Sequence, residues 1–337
     1  MENKKVTIID IARMAGVSTA TVSRIINDVE NCATEETRQK VLDIIKKYNY
    51  RPNLIAKSMV TNKTQSIGLI IPDITNQSFQ DMIKGSEDIA ERRGSSLVIC
   101  SSRRKTNDYL KSVENMLQRN IDGYLLLGAP DEEAIVQLLN NQKVVVVDRV
   151  INEDQWPRVY IDHVKASYEL VKYLISQGHR DIATITGPKS YILSQQRLEG
   201  YRKALEEAGI PFEEEKVFEA DDFEVDSGKA AAERLLRTKR PSAVFCQNDL
   251  LAAGLYKACR ENNLSIPDDI SVTGYDNWSA AQILYPELTT VSQGSYKLGA
   301  AATEILLDWI EKGSTNIGSK EYETSIIIRN SVKPRKD

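Results

Sequence analysis

The sequence predicts an α/β protein: a three-helix head and a short hinge helix, then a two-lobed core of parallel sheets wrapped by helices. Three observations carry this. From Ser66 onward, apolar β-rich runs alternate with helical patterns: "SIGLIIPD", "SLVICSS", "GYLLLG", "VVVVDR", "VYID", "IATITG", "AVFCQND" and "ISVTGYD". Such alternation builds parallel sheets covered by helices on both faces. The stretch from residue 66 to 337 exceeds what one sheet comfortably organises, so it divides into two lobes. Ahead of Ser66 the apolar spacing is helical, and a polar linker at Thr61–Ser66 separates the two regions.

In "TIIDIARMAGVSTATVSRIIN", Thr7 to Asn27, two short amphipathic runs flank a Gly-Val-Ser turn. Thr7 with Asp10 three residues later reads as a capping box that opens a helix, with Ile8, Ile11, Ala12 and Ala15 as its apolar face. Gly16 takes the left-handed turn, and Ser18 caps a second helix reaching Asn27. Ala12 is small where the two helices cross, and Val22 with Ile25 or Ile26 packs back on the first. This is the helix-turn-helix pattern, whose second helix lies in a DNA major groove. Small residues at Thr19 and Ala20 give that helix clearance to approach base edges. Thr can bond a base or touch a thymine methyl, and Arg24 can grip guanine through two hydrogen bonds. Any tight helical hairpin also needs a glycine and a small crossing residue, so the motif alone does not decide the matter.

The neighbouring sequence adds weight. "ATEETRQKVLDIIKKYNY" starts at a Thr34 cap with two acids in its first turn, and sets Val41, Ile44, Ile45 and Tyr48 at helical spacing. Pro52 is expected to end that third helix, and Asn53 to cap a short new one. Charge points the same way. The whole chain stands at -4, yet residues 1–64 carry eleven Lys/Arg against seven Asp/Glu, a surplus of four that leaves -8 for the remainder. A basic head on an acidic body suits a polyanion bound by the head alone.

Composition bounds the rest. With 41% hydrophobic and 27% charged residues, the chain reads as an ordinary globular protein. "MENKKVTIID" shows no secretory pattern, and no apolar run approaches the roughly 20 residues of a membrane span. Cys32, Cys100, Cys246 and Cys259 lack zinc spacing and read as reduced thiols of a cytoplasmic protein, with no metal and no cofactor expected.

At this point "VTIIDIARMAGVSTATVSRIIN" followed by "YRPNLIAKSM" resembles the lactose-repressor (LacI/GalR) family of bacterial transcription regulators. The resemblance extends along the whole chain and is most specific in its first 60 residues. It implies a periplasmic-binding-protein-like core, a homodimer and a palindromic operator. It also implies a hinge helix that orders when two subunits sit on DNA, with an apolar wedge, usually Leu, entering a central base step from the minor groove. Met59 holds that place here, and Ala56 keeps the paired hinges close. The candidate DNA-binding residues are therefore Thr7, Ser18, Thr19, Ala20, Thr21, Ser23, Arg24 and Asn27 in the head, with Asn53, Ala56, Lys57 and Met59 in the hinge. The expected domains are 1–52, the hinge and linker 53–65, and 66–337, with lobe 1 at about 66–162 and 292–323 and lobe 2 at about 163–291 and 324–337.

Polar residues recur past the carboxyl ends of the expected strands, where open α/β sheets bind ligands. Asp73 and Asn76 follow the first run, Asp148 and Arg149 the "VVVV" run, and Arg197 the "IATITG" run. Asn248 and Asp249 follow "AVFCQ", and Asp276 follows "SVTGY". Carboxylates and amides match a polyol, and Phe79, Phe223 and Trp278 can lie against an apolar sugar face. Equally, Asn76 and Asp249 can simply cap helices, and Phe79 can be core. The resemblance implies effector contacts at Asp148, Arg149, Arg197, Asn248, Asp276 and Gln293. With Phe223, this set looks most like a ribose-binding pattern. Asn76 and Phe79 complete the candidate site. The usual first aromatic is Ser78 here, which is expected to leave room for a larger or differently oriented sugar.

An enzyme fits poorly. The two histidines, His163 and His179, have no nucleophile elbow or phosphate loop beside them, and arginine partners are expected to hold the strand-end carboxylates at low pKa. The reading is a sequence-specific regulator of carbohydrate use, expected from the resemblance to be a repressor, controlled by a small sugar between the lobes. Two alternatives stay open: a catabolite-control type answering to a phosphorylated carrier protein, for which "SFQDMIKGSEDIAERR" lies near the relevant surface, and a purine sensor.

Overall fold

The structure, a computed structural model, describes residues 6–51, 63–102, 106–128, 133–148, 156–313 and 318–335. The chain forms two compact units, Met1–Thr64 and Gln65–Asp337.

The first unit is built from α1 (Ile8–Ala15), α2 (Thr19–Ile26) and α3 (Glu35–Lys47). The Thr7–Asp10 capping box is present on both sides: Thr7 N donates to Asp10 Oδ2 at 3.0 Å, and Asp10 N to Thr7 Oγ1 at 3.4 Å. Gly16 sits at φ 74 and lets Val17 N turn back to Ala12 O, which closes α1. Ser18 accepts from Thr21 N, and Thr34 from Thr37 N, so each later helix is capped as its sequence requires. Ile11, Ala12, Ala15, Val22, Ile25 and Val41 form the buried core. Two expectations need correcting. Tyr48 is 44% exposed, and Tyr50 packs on the core in its place. The third helix ends at Lys47, before Pro52, because Asn49 adopts φ 46 and Tyr50 N closes on Ile45 O. Asn tolerates that left-handed conformation, so no proline is needed. The hinge residues Asn53, Ala56, Lys57 and Met59 lie outside the described residues.

The second unit contains two parallel sheets. The larger uses β1 (Ser66–Ile71), β2 (Ser96–Ser101), β3 (Gly123–Leu127), β4 (Val144–Val147), β5 (Arg158–Ile161) and β11 (Lys320–Tyr322), in the order β11-β5-β4-β3-β1-β2. The smaller uses β6 (Ile182–Thr186), β7 (Val217–Glu219), β8 (Ala243–Cys246) and β9 (Ser271–Thr273), in the order β7-β6-β8-β9. β3, β4, β6 and β8 are buried along their whole length, which explains their unbroken apolar runs. Around the large sheet lie α4 (Gln77–Arg92), α5 (Thr106–Leu117), α6 (Glu133–Leu139) and α12 (Ser295–Lys312). Around the small one lie α7 (His163–Ser176), α8 (Ile192–Glu207), α9 (Val225–Leu236), α10 (Asp249–Glu261) and the short α11 (Ser279–Ile283).

The chain passes between the sheets three times: after Ile161, after β10 (Thr290–Ser292) and before β12 (Ser325–Ile327). β10 and β12 pair antiparallel, so two of the passages brace each other. α4 and α12 approach backbone to backbone, because a Cβ on Gly85 would strike Tyr296 O and one on Gly299 would strike Met82 O. Ser86 Oγ donates to Gly299 O at 3.2 Å across the same contact.

No described helix is long and apolar enough to cross a membrane. Among the described residues, no cluster of His, Cys, Asp and Glu has the makings of a metal site.

Candidate functional site

The exposed face of α2 carries Ser18, Thr19, Ala20, Arg24 and Asn27, with Thr21 and Ser23 half-buried beside them. Val22 and Ile25 point the other way into the core, so helical spacing alone sorts anchoring from presenting positions. Asn27 Nδ2 donates to Ser23 O at 2.7 Å. Thr7 spends its hydroxyl on Asp10 Oδ2 at 2.7 Å. No ion pair occupies Arg24 among the described residues, which leaves its guanidinium available to a partner on that face.

Between the two sheets, polar side chains form one continuous line. Asp148, just past β4, accepts from His163 Nε2 at 2.9 Å. His163 opens α7, and its Nδ1 lies 3.0 Å from the Tyr275 hydroxyl. The Arg197 guanidinium stacks on the Tyr275 ring at 3.8 Å and lies 3.5 Å from Asp276 Oδ1. Gln293 Nε2 donates to that same carboxylate oxygen. Arg197 Nη1 also donates to Gln247 O at 2.5 Å, whereas its Nε is buried and meets no partner among the described residues. A buried donor left open in this way is costly unless something arrives to accept from it.

Backbone geometry at the two acids is unusual. Asp148 sits at φ 68 and Asp276 at φ 109, values that an L-residue adopts only when its surroundings impose them. Both amides are pinned, Asp148 N to Val159 O at 2.8 Å and Asp276 N to Val291 O at 2.9 Å. The carboxylates are therefore placed by sheet and crossover hydrogen bonds before any ligand binds.

The two acids differ electrostatically. Burial pushes Asp148 up, but the charge and hydrogen bond of His163, with Arg197 and Arg158 nearby, more than offset it and hold the carboxyl below its ordinary value. At Asp276 burial wins over Arg197 and Gln293, and its pKa is pushed up to about 7. The expectation that arginine holds all these carboxylates low thus fails at Asp276, because a 3.5 Å approach does not repay full burial. Asp249 goes further, to about 8, driven by burial and by the Asp276 charge. It does not cap a helix. Asn248 does that by accepting from Leu251 N at 2.7 Å, while Asp249 holds Trp278 N at 2.7 Å and the Thr290 hydroxyl at 2.6 Å.

Other sequence-predicted residues occupy the rim. Asn76 caps α4 through Ser78 N at 3.0 Å, and Phe79 packs partly into the core beneath it. Phe223 stacks edge-on with Tyr191 at 6.0 Å, and its carbonyl accepts from Asn248 Nδ2 at 3.0 Å. Ser78 does not leave open room: the buried Trp278 indole reaches across the lobes and donates to Ser78 Oγ at 2.6 Å. A second clasp joins Ser279 N and Oγ to Gln77 Oε1 at 3.1 and 3.0 Å. Trp278 is therefore an interlobe latch rather than a free sugar platform. Arg149 lies outside the described residues.

Comparison with known proteins agrees with this architecture. Residues 7–53 match the bacterial regulatory proteins of the lacI family, and residues 64–331 match the periplasmic binding proteins and sugar binding domain of the LacI family. The chain belongs to the LacI family. The regulator is 36% identical to the HTH-type transcriptional regulator RegA of Clostridium saccharobutylicum, over 97% of its own length and 99% of that protein. It is 36% identical to the transcriptional repressor PurR of Vibrio campbellii, over 97% of its length and 98% of the relative. Among solved structures, it superposes on the lac repressor dimer bound to operator and the anti-inducer ONPF with a TM-score of 0.88 at 26% identity, over 98% of this chain and all of that one. It is a DNA-binding transcriptional regulator with a ligand-binding core, and not an enzyme.

Sequence reasoning passed over three members of the regulator's cleft. His163 and Tyr275 connect Asp148 to Arg197, and Gln247 fixes Arg197 from behind. His163 had one legible signal, its place directly after an expected strand. Tyr275 and Gln247 were given no role, and both are buried at the ends of apolar runs.

Proposed function

We propose that the regulator is a cytoplasmic homodimeric repressor that reads a pseudo-palindromic operator through α2 and the hinge, and releases or tightens its grip when a small sugar binds between its lobes. The observation that carries the effector reading is the line Asp148–His163–Tyr275–Arg197–Asp276–Gln293. It draws groups from both lobes into one stretch and includes Arg197 Nε, which meets no partner among the described residues. Carboxylates, an amide and a guanidinium together answer the mixed donors and acceptors of a polyol. The match to a sugar-binding domain along residues 64–331 supports the same choice.

In this reading α2 places Thr19, Ala20, Ser23 and Arg24 against base edges, Ser18, Thr21 and Asn27 set its ends and register, and Thr7 meets the DNA from the start of α1. Asn53, Ala56, Lys57 and Met59 form the hinge, with Met59 as the minor-groove wedge. Asn76, Phe79, Arg149, Phe223 and Asn248 complete the sugar site around the central line.

The test is operator binding titrated with pentoses, hexoses and purine bases, wild type beside Asp276→Ala. A ligand moves the lobes only by its differential affinity for the two arrangements. Asp276→Ala should therefore stay folded, bind operator at the ligand-free affinity and no longer respond. A variant that still responds at wild-type sugar concentrations would place the effector elsewhere. A wild type that responds to purine bases alone would replace the sugar reading by the purine one.

A further inference from the structure

α8 has a second working flank. A cavity of about 300 Å³ opens beside the carboxyl end of β6 and the first turns of α8. Its wall residues on the helix lie roughly a third of a turn away from Arg197, so it is separate from the interlobe line. Three polar atoms on that wall are buried and meet no partner among the described residues: Thr186 Oγ1, Ser194 Oγ and Arg202 Nε. Thr186 is 1% and Ser194 2% exposed, so the two hydroxyls belong to the floor of the cavity and not to its mouth.

The surroundings hold these groups in position. Arg202 stacks on the Phe212 ring at 4.5 Å, with Nη1 3.9 Å from Glu199. At the rim, Lys189 is exposed and in no ion pair among the described residues. Its backbone is fixed on both sides, N to Glu219 Oε1 at 2.7 Å and O to Gln195 Nε2 at 2.8 Å. Lys189 and Arg202 are balanced by Glu199 and by the Glu219 carboxylate at the rim, and Leu198 supplies an apolar wall.

We propose that this pocket binds the phosphate group of a small phosphorylated metabolite. The Arg202 Nε–H and the Lys189 ammonium can only donate, and both hydroxyls can rotate to donate with them. A tetrahedral oxyanion accepts from all four and answers the two groups that can only donate. The volume is at the small end of ligand sites and admits a phosphate with a compact organic body beside Leu198. The pocket communicates with the cleft through one residue. Gln247 Nε2 donates to Ser194 O at 2.9 Å, and Gln247 O receives Arg197. The inference does not depend on the sugar reading of the cleft.

The experiment is thermal denaturation of the full-length protein with inorganic phosphate, with glucose 6-phosphate, and with chloride at matched ionic strength. A saturable rise in Tm is expected with either phosphate compound and not with chloride. A tighter response to glucose 6-phosphate than to phosphate identifies an organic phosphate as the ligand class. Equal responses identify the free anion. Thr186→Val replaces an unpaired hydroxyl by a methyl of the same shape and should fold as well as wild type. Combined with Lys189→Gln it should weaken binding at least tenfold, while Asp276→Ala should bind phosphate normally. No saturable shift with either compound, or full binding by the double variant, or loss of binding in Asp276→Ala, would overturn the proposal.

Discussion

The pKa of Asp249 makes stability a function of pH that one substitution should remove. Its carboxyl is almost wholly buried, with a pKa pushed from 3.8 up to about 8. A carboxyl raised in the folded state binds more protons folded than unfolded, so stability falls as pH climbs from about 4 to about 8 and levels off above that. Each pH unit inside that window is worth about 1.4 kcal/mol. Raising the pH from 6 to 8.5 should therefore cost about 3 kcal/mol through Asp249 alone. Asp276, raised to about 7, steepens the lower part of the same window. Asp249→Asn keeps the shape and removes the charge. Its oxygen can accept from Trp278 N, and its NH₂ can donate to Thr290 Oγ1, which already accepts from Asn277 N at 3.3 Å. Urea unfolding of both proteins at pH 6 and pH 8.5, at one fixed protein concentration, reads the difference. The variant should lose markedly less stability than wild type over that interval and be the more stable protein at pH 8.5. Equal losses in both would show that Asp249 ionises without cost and that burial does not govern this carboxyl.

Four further outcomes test the proposed reading and the packing. Arg24→Ala, on the exposed face of α2, should cost about 1–3 kcal/mol on specific operator and little on random DNA, read by competition binding. Equal losses on both would remove its base-reading role. Met59→Ala should weaken operator binding and reduce bending in a gel-shift bend assay, while Met59→Leu should leave both at least as strong. Gly299→Ala forces a methyl into Met82 O on α4 and should destabilise the protein by about 1–3 kcal/mol in urea, since the obstacle is backbone and cannot swing aside. His163→Phe cuts the Asp148–Tyr275 connection and should weaken the effector response without changing ligand-free operator affinity, measured by the same titration as for Asp276→Ala.

What could be read from the sequence was local or periodic. The Thr7–Asp10 box, the Gly16 turn and the Ser18 and Thr34 caps involve partners within five residues, so their chemistry is written side by side in the chain. The long strands were legible because full burial on both faces demands uninterrupted apolar runs. β7, β10, β11 and β12 were not picked out as strands, since each is three residues long and only partly buried, whereas the equally short β9 is buried throughout and shows as an apolar run. The strand-end rule singled out Asp148, Arg197 and Asp276, and the fold brings these three into one line through His163 and Tyr275.

Only the tertiary structure decided what those residues do to one another. Trp278 and Ser78 are 200 positions apart, and nothing near either one announces that the indole will bond that hydroxyl. The same holds for the charges. Asp148 and Asp276 look alike in sequence, yet one is held low by His163, 15 residues away, and the other is raised by burial that Arg197 does not offset. Solvent exclusion and interactions across long loops are properties of packing, and neither has a signature in the order of residues. The chain order settled which elements form and which ends of the strands carry polar groups; the packing settled which of those groups are charged, paired or left open for a ligand.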